Sequence, residues 1–428
     1  MIKYKRYERY KDSGVEWIGE IPEEWEFRRI SHICTLGRGR VISKIEIAEN
    51  EGEYPVYSSQ TENDGVLGYI NTYDFEGDYV TWTTDGANAG TVFRRTGRFN
   101  CTNVCGTLKP KENNLDLSYL TYALSLETKR YVRLDINPKL MNNEMAKIRV
   151  LFPPSDEQKA IANFLDQKTA EIDSLIADKE KLIELLQEKR QAIITEAVTK
   201  GLNPNVRMKD SGIEWIGEIP EHWEVVKIKL LLKVKDGTHD TPDFVDKGEG
   251  TVPLITSKNI IDGEIDFLNA KHISREDYIN INRRSDVGKN DIIMPMIGTI
   301  GNPVIVKTDK EFSIKNVALF KTSYNELLAK FIYYTLQSNL IKIQFDLLNR
   351  GGVQAFVSLD VLRNLLVIKM PSTELKEIVL YLENKTQEID SLILSIRVGI
   401  NKLKEYRQSL ISEAVTGKID VRDYVVSN

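Results

Sequence analysis

Three cysteines, four histidines and a net charge of −5 in 428 residues exclude several classes of protein. Cys34, Cys101 and Cys105 are an odd, sparse set without metal-ligand grouping. No disulfide framework is expected, and such usage suits a reduced cytoplasmic protein. His32, His222, His239 and His272 are scattered, with no second His or Cys at ligand spacing, so no metal site is expected. No apolar run reaches membrane-spanning length, and the residues from Met1 to Tyr10 are too polar for a secretory signal, which again points to the cytoplasm. The charge gives no overall basic signal, so a nucleic-acid surface would have to be a local patch. Gly288-Lys289-Asn290 and Gly417-Lys418-Ile419 fail to complete a phosphate-binding loop. Asn203-Pro204-Asn205-Val206 lacks the second proline and the aromatic of an amino-methyltransferase motif. No catalytic constellation stands out.

What the chain does have is repetition. Lys11-Asp12-Ser13-Gly14-Val15-Glu16-Trp17-Ile18-Gly19-Glu20-Ile21-Pro22-Glu23-Glu24-Trp25-Glu26 returns 198 residues later as Lys209 to Glu224, changed only at Ile213 and His222. Four of the five tryptophans lie in these copies. Gly and Pro break helix here, so an extended or turned segment is expected, with Trp17, Trp25, Trp215 and Trp223 docked on a neighbouring surface. The alternative is base stacking by the same rings. A shared scaffold task suits identical copies better.

A second repeat, offset by 217, is helical. Pro153-Pro154 precedes Ser155, which has capping-box spacing to Gln158; Asp156 and Glu157 suit the first turn, and Gly201 suits the stop. Ile161, Leu165, Ile172, Leu175, Leu182, Leu186 and Ile193 recur at three- and four-residue steps, forming a packing seam. Roughly 43 residues at 1.5 Å each make a rod of roughly 65 Å, which needs a partner. Ser372 to Lys418 supplies it, with Ile378, Leu382, Ile389, Leu392, Leu403 and Leu410 in the seam. Ile396 and Tyr406 stand where the first copy has Lys179 and Lys189.

Between these flanks lie two regions, roughly Phe27 to Phe152 and Val225 to Met370, that read as α+β. Tyr79-Val80-Thr81-Trp82, Thr91-Val92-Phe93, Ile292-Ile293-Met294 and Val304-Ile305-Val306 read as strands, and Leu117 to Arg133 and Glu326 to Leu348 as helices. The regions are distant relatives. Gly86-Ala87-Asn88-Ala89-Gly90 parallels Gly298-Thr299-Ile300-Gly301, and Phe99 with Asn103-Val104 has the spacing of Phe312 with Asn316-Val317. The expected layout is docking segment and domain over 1–152, rod over 153–201, docking segment and domain over 202–370, rod over 371–418 and a tail over 419–428. It could close on itself with pseudo-twofold symmetry.

Two copies of Asp-Ser-Gly-(Val/Ile)-Glu-Trp-Ile-Gly-Glu-Ile-Pro, each followed by a variable domain and a long helix ending in Glu-Ala-Val-Thr, resemble the specificity subunit of a type I restriction-modification system. The likeness covers essentially the whole chain. It implies two target recognition domains, each reading half of a bipartite double-stranded DNA site. It also implies two antiparallel helices as a coiled-coil spacer, docked to two methyltransferase subunits, with restriction subunits in the full complex. S-adenosylmethionine, ATP and Mg would belong to those partners, with no cofactor in this chain.

Candidate DNA contacts follow from glycine-rich, basic or turn-rich context. In the first domain they are Arg38 and Arg40 beside Gly37 and Gly39; Arg94, Arg95 and Arg98 after the glycine loop; and Gln60 and Asn88 as readers of adenine. In the second they are Thr238 and His239 within Lys235-Asp236-Gly237-Thr238-His239-Asp240-Thr241-Pro242, with Lys258, Asn259, Thr299 and Arg350. Asn103 and Asn316 fit either a shared DNA contact or a shared turn. Two rival readings are an enzyme with unrecognised motifs and a structural adaptor that binds no DNA. Activity of the chain alone, and salt-sensitive binding to a bipartite duplex, separate them.

Overall fold

A computed structural model describes residues 4–134, 137–261, 263–297, 301–322, 324–348 and 357–424. The chain divides into two compact units, one of residues 1–179 with 398–428 and the other of residues 180–397. Both divisions fall inside the long helices, so each unit owns one stretch of both rods. Among the described residues no helix is long and apolar enough to cross a membrane.

The tryptophan repeat folds twice into the same small hairpin. Tyr10–Asp12 pairs antiparallel with Glu20–Pro22, and Met208–Asp210 with Glu218–Pro220. In each, an aspartate side chain accepts the N–H of the glycine two residues on, Gly14 or Gly212. The positive φ of both glycines, +67° and +75°, suits that turn. The four rings dock to different depths, with one tryptophan per copy buried. Trp25 and Trp223 are fully enclosed, Trp215 is half-buried, and Trp17 stays 37% exposed. The Arg130 guanidinium lies 3.7 Å from the Trp17 ring centroid.

Each buried indole is tied to the start of a rod in its own unit. Trp25 Nε1 donates to Glu157 at 2.8 Å, and Trp223 Nε1 to Glu374 at 3.0 Å. The first-turn acids therefore anchor the hairpins as well as complementing the helix dipole. The rods run Ser155–Lys200 and Ser372–Val415. The second stops short of the expected Lys418, since Gly417 turns at φ +69°. The expected capping box is absent as well. Gln158 is buried, accepting from the Asp116 N–H at 2.9 Å and donating to the Pro153 carbonyl at 2.8 Å, so it ties the helix start to the domain.

In the first unit the rods pair antiparallel. Asp173 meets Arg407 at 2.9 Å, while Lys179 lies beside Gly399, whose missing side chain leaves its ammonium room. In the second unit Arg190 meets Asp390 at 3.0 Å. This is the same ion pair carried over by the 217-residue offset. Of the expected seam, Ile161, Leu165, Ile172, Ile378, Leu382, Ile389 and Leu410 are buried, whereas Leu175, Leu182 and Leu392 are exposed; Ile393, Ile396 and Ile400 are buried in addition. Lys189 points to solvent.

The two α+β regions share one topology. In the first unit the strands Cys34–Arg38, Cys105–Pro110, Tyr79–Thr83 and Val92–Arg95 lie side by side in that order. In the second the order is Lys233–Asp236, Val317–Lys321, Ile292–Pro295 and Val304–Ile305. A second sheet, four-stranded in the first unit and three-stranded in the second, holds one parallel pair in each, Glu51–Tyr57 with Arg98–Cys101 and Val252–Ile255 with Ser313–Ile314. The helices Leu117–Tyr131 and Glu326–Gln337 are capped by Asp116 and Asn325. The expected helix Glu326 to Leu348 breaks at Ser338, where the next N–H, that of Asn339, donates to Thr195 on the rod at 2.9 Å.

Residues 4–10 and 417–424 meet in the first unit. Lys5 and Asp420 form an antiparallel bridge, and Tyr10 donates to the Gly417 carbonyl at 3.0 Å. Tyr4 and Tyr424 pack edge-on against Phe164 at 5.3 and 4.8 Å. Tyr381, the repeat partner of Phe164, instead lines an open cavity of about 580 Å³.

Burial pushes the Glu127 carboxyl, on the helix Leu117–Tyr131, up to about 7, with Arg130 pulling the other way. Below the ordinary value of 4.5 both folded and unfolded chains hold the proton. As pH rises from there to about 7, the unfolded chain ionises first and stability falls, levelling off above. Glu127→Gln should therefore match the parent Tm near pH 4 and exceed it near pH 8. Equal melting at both values would remove this account.

Candidate nucleic-acid interface

In each unit the edge strand Cys34–Arg38 or Lys233–Asp236 runs into a glycine that lies against backbone. Gly39 N–H donates to the Cys105 carbonyl at 3.0 Å, and Arg40 N–H to Cys101 at 3.1 Å. Gly237 N–H donates to Val317 at 2.9 Å, and Thr238 N–H to Ile314 at 3.0 Å. A Cβ on Gly39 would lie 2.2 Å from the Cys101 carbonyl oxygen, and one on Gly237 2.2 Å from that of Ile314. Glycine is needed here for close approach. The crossing chain is the turn carrying Asn103 in one unit and Asn316, at φ +54°, in the other. Arg38-Gly39-Arg40 and Asp236-Gly237-Thr238 are thus one loop built twice, facing the two asparagines that the sequence had matched.

The side chains on this frame differ. Arg38 Nε donates to the Asn103 carbonyl at 2.7 Å and its guanidinium lies 3.6 Å from Asp85. Arg40 pairs with Glu46 at 2.7 Å and Asp74 at 3.0 Å, contacts that hold it above its usual range. In the second unit His239 lies between Asn316 Oδ1 and Asp236 Oδ2, each 2.9 Å from a ring nitrogen. Asp236 is buried and also takes Arg284 at 2.9 Å. The bonds to Asn316 and Asp236 raise the affinity of His239 for its proton. Thr238 Oγ1 turns to the Asp240 carbonyl at 3.4 Å.

The other expected contacts separate. Arg94 and Arg95 do not form one cluster, because strand alternation sends them to opposite faces. Arg94 is exposed and donates to Ser118 at 2.7 Å. Arg95 is buried; its guanidinium lies between the rings of Tyr57 and Phe93, 3.6 and 4.4 Å from their centroids, and is ion-paired to Asp64. Arg98 is exposed, pairs with Glu76 at 2.9 Å and lies over Tyr73. Gln60 donates to the Val66 carbonyl and braces its own loop, while Asn88 donates to that of Ser59 at 3.2 Å and ties the glycine loop to the loop of Gln60.

Lys258 is exposed on the turn Ser257–Asn259, while Asn259 is buried, accepting from Thr256 N–H at 3.1 Å and donating to the Asp266 carbonyl at 3.4 Å. Lys315 N–H donates to the Ile255 carbonyl at 2.9 Å, which sets that turn beside the Asn316 turn. Thr299 and Arg350 lie outside the described residues. Sequence reasoning missed the acids Asp85, Asp74, Glu46 and Asp236 and the cation Arg284. Only the position of Asp236 just before the glycine, where the first unit has Arg38, could have signalled any of them.

Comparison with known proteins adds the family context. The family described as type I restriction modification DNA specificity domain matches residues 22–185 and 220–397. A specificity subunit of the type I restriction enzyme MjaVIII from Methanocaldococcus jannaschii is 28% identical, over 94% of this chain and 95% of that protein. The N-terminus of a type I specificity subunit from Mycoplasma pneumoniae is 49% identical over 139 residues, 32% of this chain and 74% of that protein; for another from the same organism the match covers 38% of the relative. A solved chain of a type I R-M system superposes at TM-score 0.65 with 12% identity, covering 92% of this chain and 98% of that one, a likeness of fold.

Proposed function

Because the chain belongs to the type I restriction-modification DNA specificity family, we propose that it is a non-catalytic specificity subunit whose two units each read half of a bipartite double-stranded DNA site. The observation that carries this reading is the glycine loop facing an asparagine turn, built twice on one backbone with different side chains. A common frame with altered side chains is what two readers of different sequence require. The rods set the unread gap between half-sites, and rods and hairpins dock two methyltransferase subunits, with restriction subunits joining the full complex. S-adenosylmethionine, ATP and Mg are supplied to those partners. The site of action is the cytoplasm.

The cations at the frame are already paired with acids, so a phosphate arriving at Arg38 or Arg40 displaces Asp85, Asp74 or Glu46 from contact. Such exchange keeps non-specific binding weak and leaves net affinity dependent on salt. Mapping methylated bases in cells that express this chain with its methyltransferase partner tests the reading. Two short half-sites at a constant gap are expected, and one continuous site, or none, overturns it. Inserting four residues in one rod adds about 6 Å, nearly two base-pair steps, and should change the gap. An unchanged gap would remove the spacer role.

A further inference from the structure

His239 has an acceptor on each side, and only one of them is fixed. Asp236 is 6% exposed at its side chain, and its two oxygens are taken by Arg284 and by His239 Nε2, so it acts here as the acceptor. His239 Nε2 therefore carries a hydrogen in both charge states of the ring. Nδ1 is the variable atom. When it is protonated it donates to Asn316 Oδ1, 2.9 Å away. When it is bare it accepts, and the carboxamide must turn about to offer its NH₂ group. The backbone of Asn316 cannot follow, because its N–H is bound to the Thr238 carbonyl at 3.1 Å.

We propose that the proton on His239 sets which end of the Asn316 carboxamide is presented to DNA, making Asn316 a specificity-determining residue whose preferred base changes with pH. This rests on the DNA-reading function proposed above. With His239 charged, the outward NH₂ suits acceptors such as guanine O6, thymine O4 or purine N7; with it neutral, the outward oxygen suits the amino groups of adenine or cytosine. The step adds or removes one solvent proton at Nδ1 and rotates one amide, with no other bond made or broken. The charged groups acting on the ring are Asp236 on its strand and Arg284 after the helix Arg275–Asn282; Lys315 on the facing turn is bound to Thr241. The contacts to Asn316 and Asp236 place the transition above the ordinary histidine value. The first unit is a built-in control, since Arg38 holds the Asn103 backbone carbonyl with a group that does not titrate.

The test selects bound duplexes from a pool of randomised sequence with the full chain at about pH 6 and about pH 8.5. One base position in one half-site should change preference by about three- to tenfold, the worth of one hydrogen bond, while the other half-site stays constant. Asn316→Asp, which offers only oxygen, should select the high-pH base at both values. The same consensus at both values, or a shift that persists in Asn316→Asp, overturns the proposal. A pool with no enriched site overturns the DNA reading itself. Independently of DNA and of whether the variant folds, the side-chain ¹⁵NH₂ resonances of Asn316 in the free protein should move with the His239 titration. Resonances that stay put sink the switch.

Discussion

If each unit reads one half-site as proposed, Gly39→Ala should weaken recognition of one half-site roughly ten- to a hundredfold and leave the other intact, and Gly237→Ala should do the converse. The added methyl would lie 2.2 Å from the Cys101 carbonyl oxygen and 2.3 Å from that of Thr102, or 2.2 Å from that of Ile314. These are backbone atoms of a turn, so the loop has to withdraw. Withdrawal breaks the paired N–H contacts at Gly39 and Arg40, or at Gly237 and Thr238, and takes Arg38 and Arg40, or Thr238 and His239, out of register with the asparagine turn. Losing one or two base contacts costs about 1–3 kcal/mol each, a fall of roughly ten- to a hundredfold or more in affinity. The local strain is about 1–3 kcal/mol, which a unit of this size tolerates. Gel-shift titration of duplexes mutated in either half-site checks the assignment, with circular dichroism to confirm folding. Parent-like affinity of Gly39→Ala for both half-sites would disprove the close-approach argument.

The largest effect on stability is expected from Trp25→Ala and Trp223→Ala, at about 3–5 kcal/mol each. Each ring is fully enclosed and packs against the glycine after a rod, Trp25 against Gly417 and Trp223 against Gly201, within its own unit. Truncation opens a cavity and also strips a donor from a rod's first-turn carboxylate. Glu157 keeps the Tyr7 hydroxyl at 3.2 Å, and Glu374 keeps His222 at 2.7 Å. Trp25→Phe separates the two terms, since it keeps most of the packing and loses only the N–H, a cost of about 1–3 kcal/mol. Trp17→Ala should cost about 1 kcal/mol or less, because the ring is partly exposed and held chiefly by Arg130. Urea unfolding followed by far-ultraviolet circular dichroism gives the order. A Trp17→Ala loss as large as that of Trp25→Ala would refute this division of labour.

The rods show where sequence reasoning stopped. Their starts and the first stop were readable from Pro154, Ser155 and Gly201, because helix ends are decided by residues within a turn of them. Which face turned inward was not. Leu175, Leu182 and Leu392 fit a three-and-four spacing as well as their neighbours do, yet they are exposed, while Ile172 and Ile389 from the same pattern are buried together with Ile393 and Ile396. Several leucines and isoleucines satisfy one period, and only the shape of the opposing surface chooses between them. Gln158 repeats the lesson at a single residue. Its spacing from Ser155 suited a cap, but a buried amide next to the unpaired Asp116 N–H and Pro153 carbonyl satisfies two distant groups at once.

The candidate interface divides in the same way. The matched Asn103 and Asn316 and the glycines at 39 and 237 were visible, because a turn and a close approach leave marks in residue type. The fate of each basic side chain was not, since Arg95 and Arg94 are adjacent and identical yet one is buried between two rings and the other exposed. By itself, the sequence determined the repeats, the rods, the duplicated α+β regions and the family, all of which rest on local propensity and on internal identity at constant offsets. Only the tertiary structure decided which tryptophan is buried, which helix face is the seam, which acid neutralises each arginine and that His239 grips Asn316. Those are contacts between residues far apart in the chain, and no local pattern encodes a partner that folding alone brings within 3 Å.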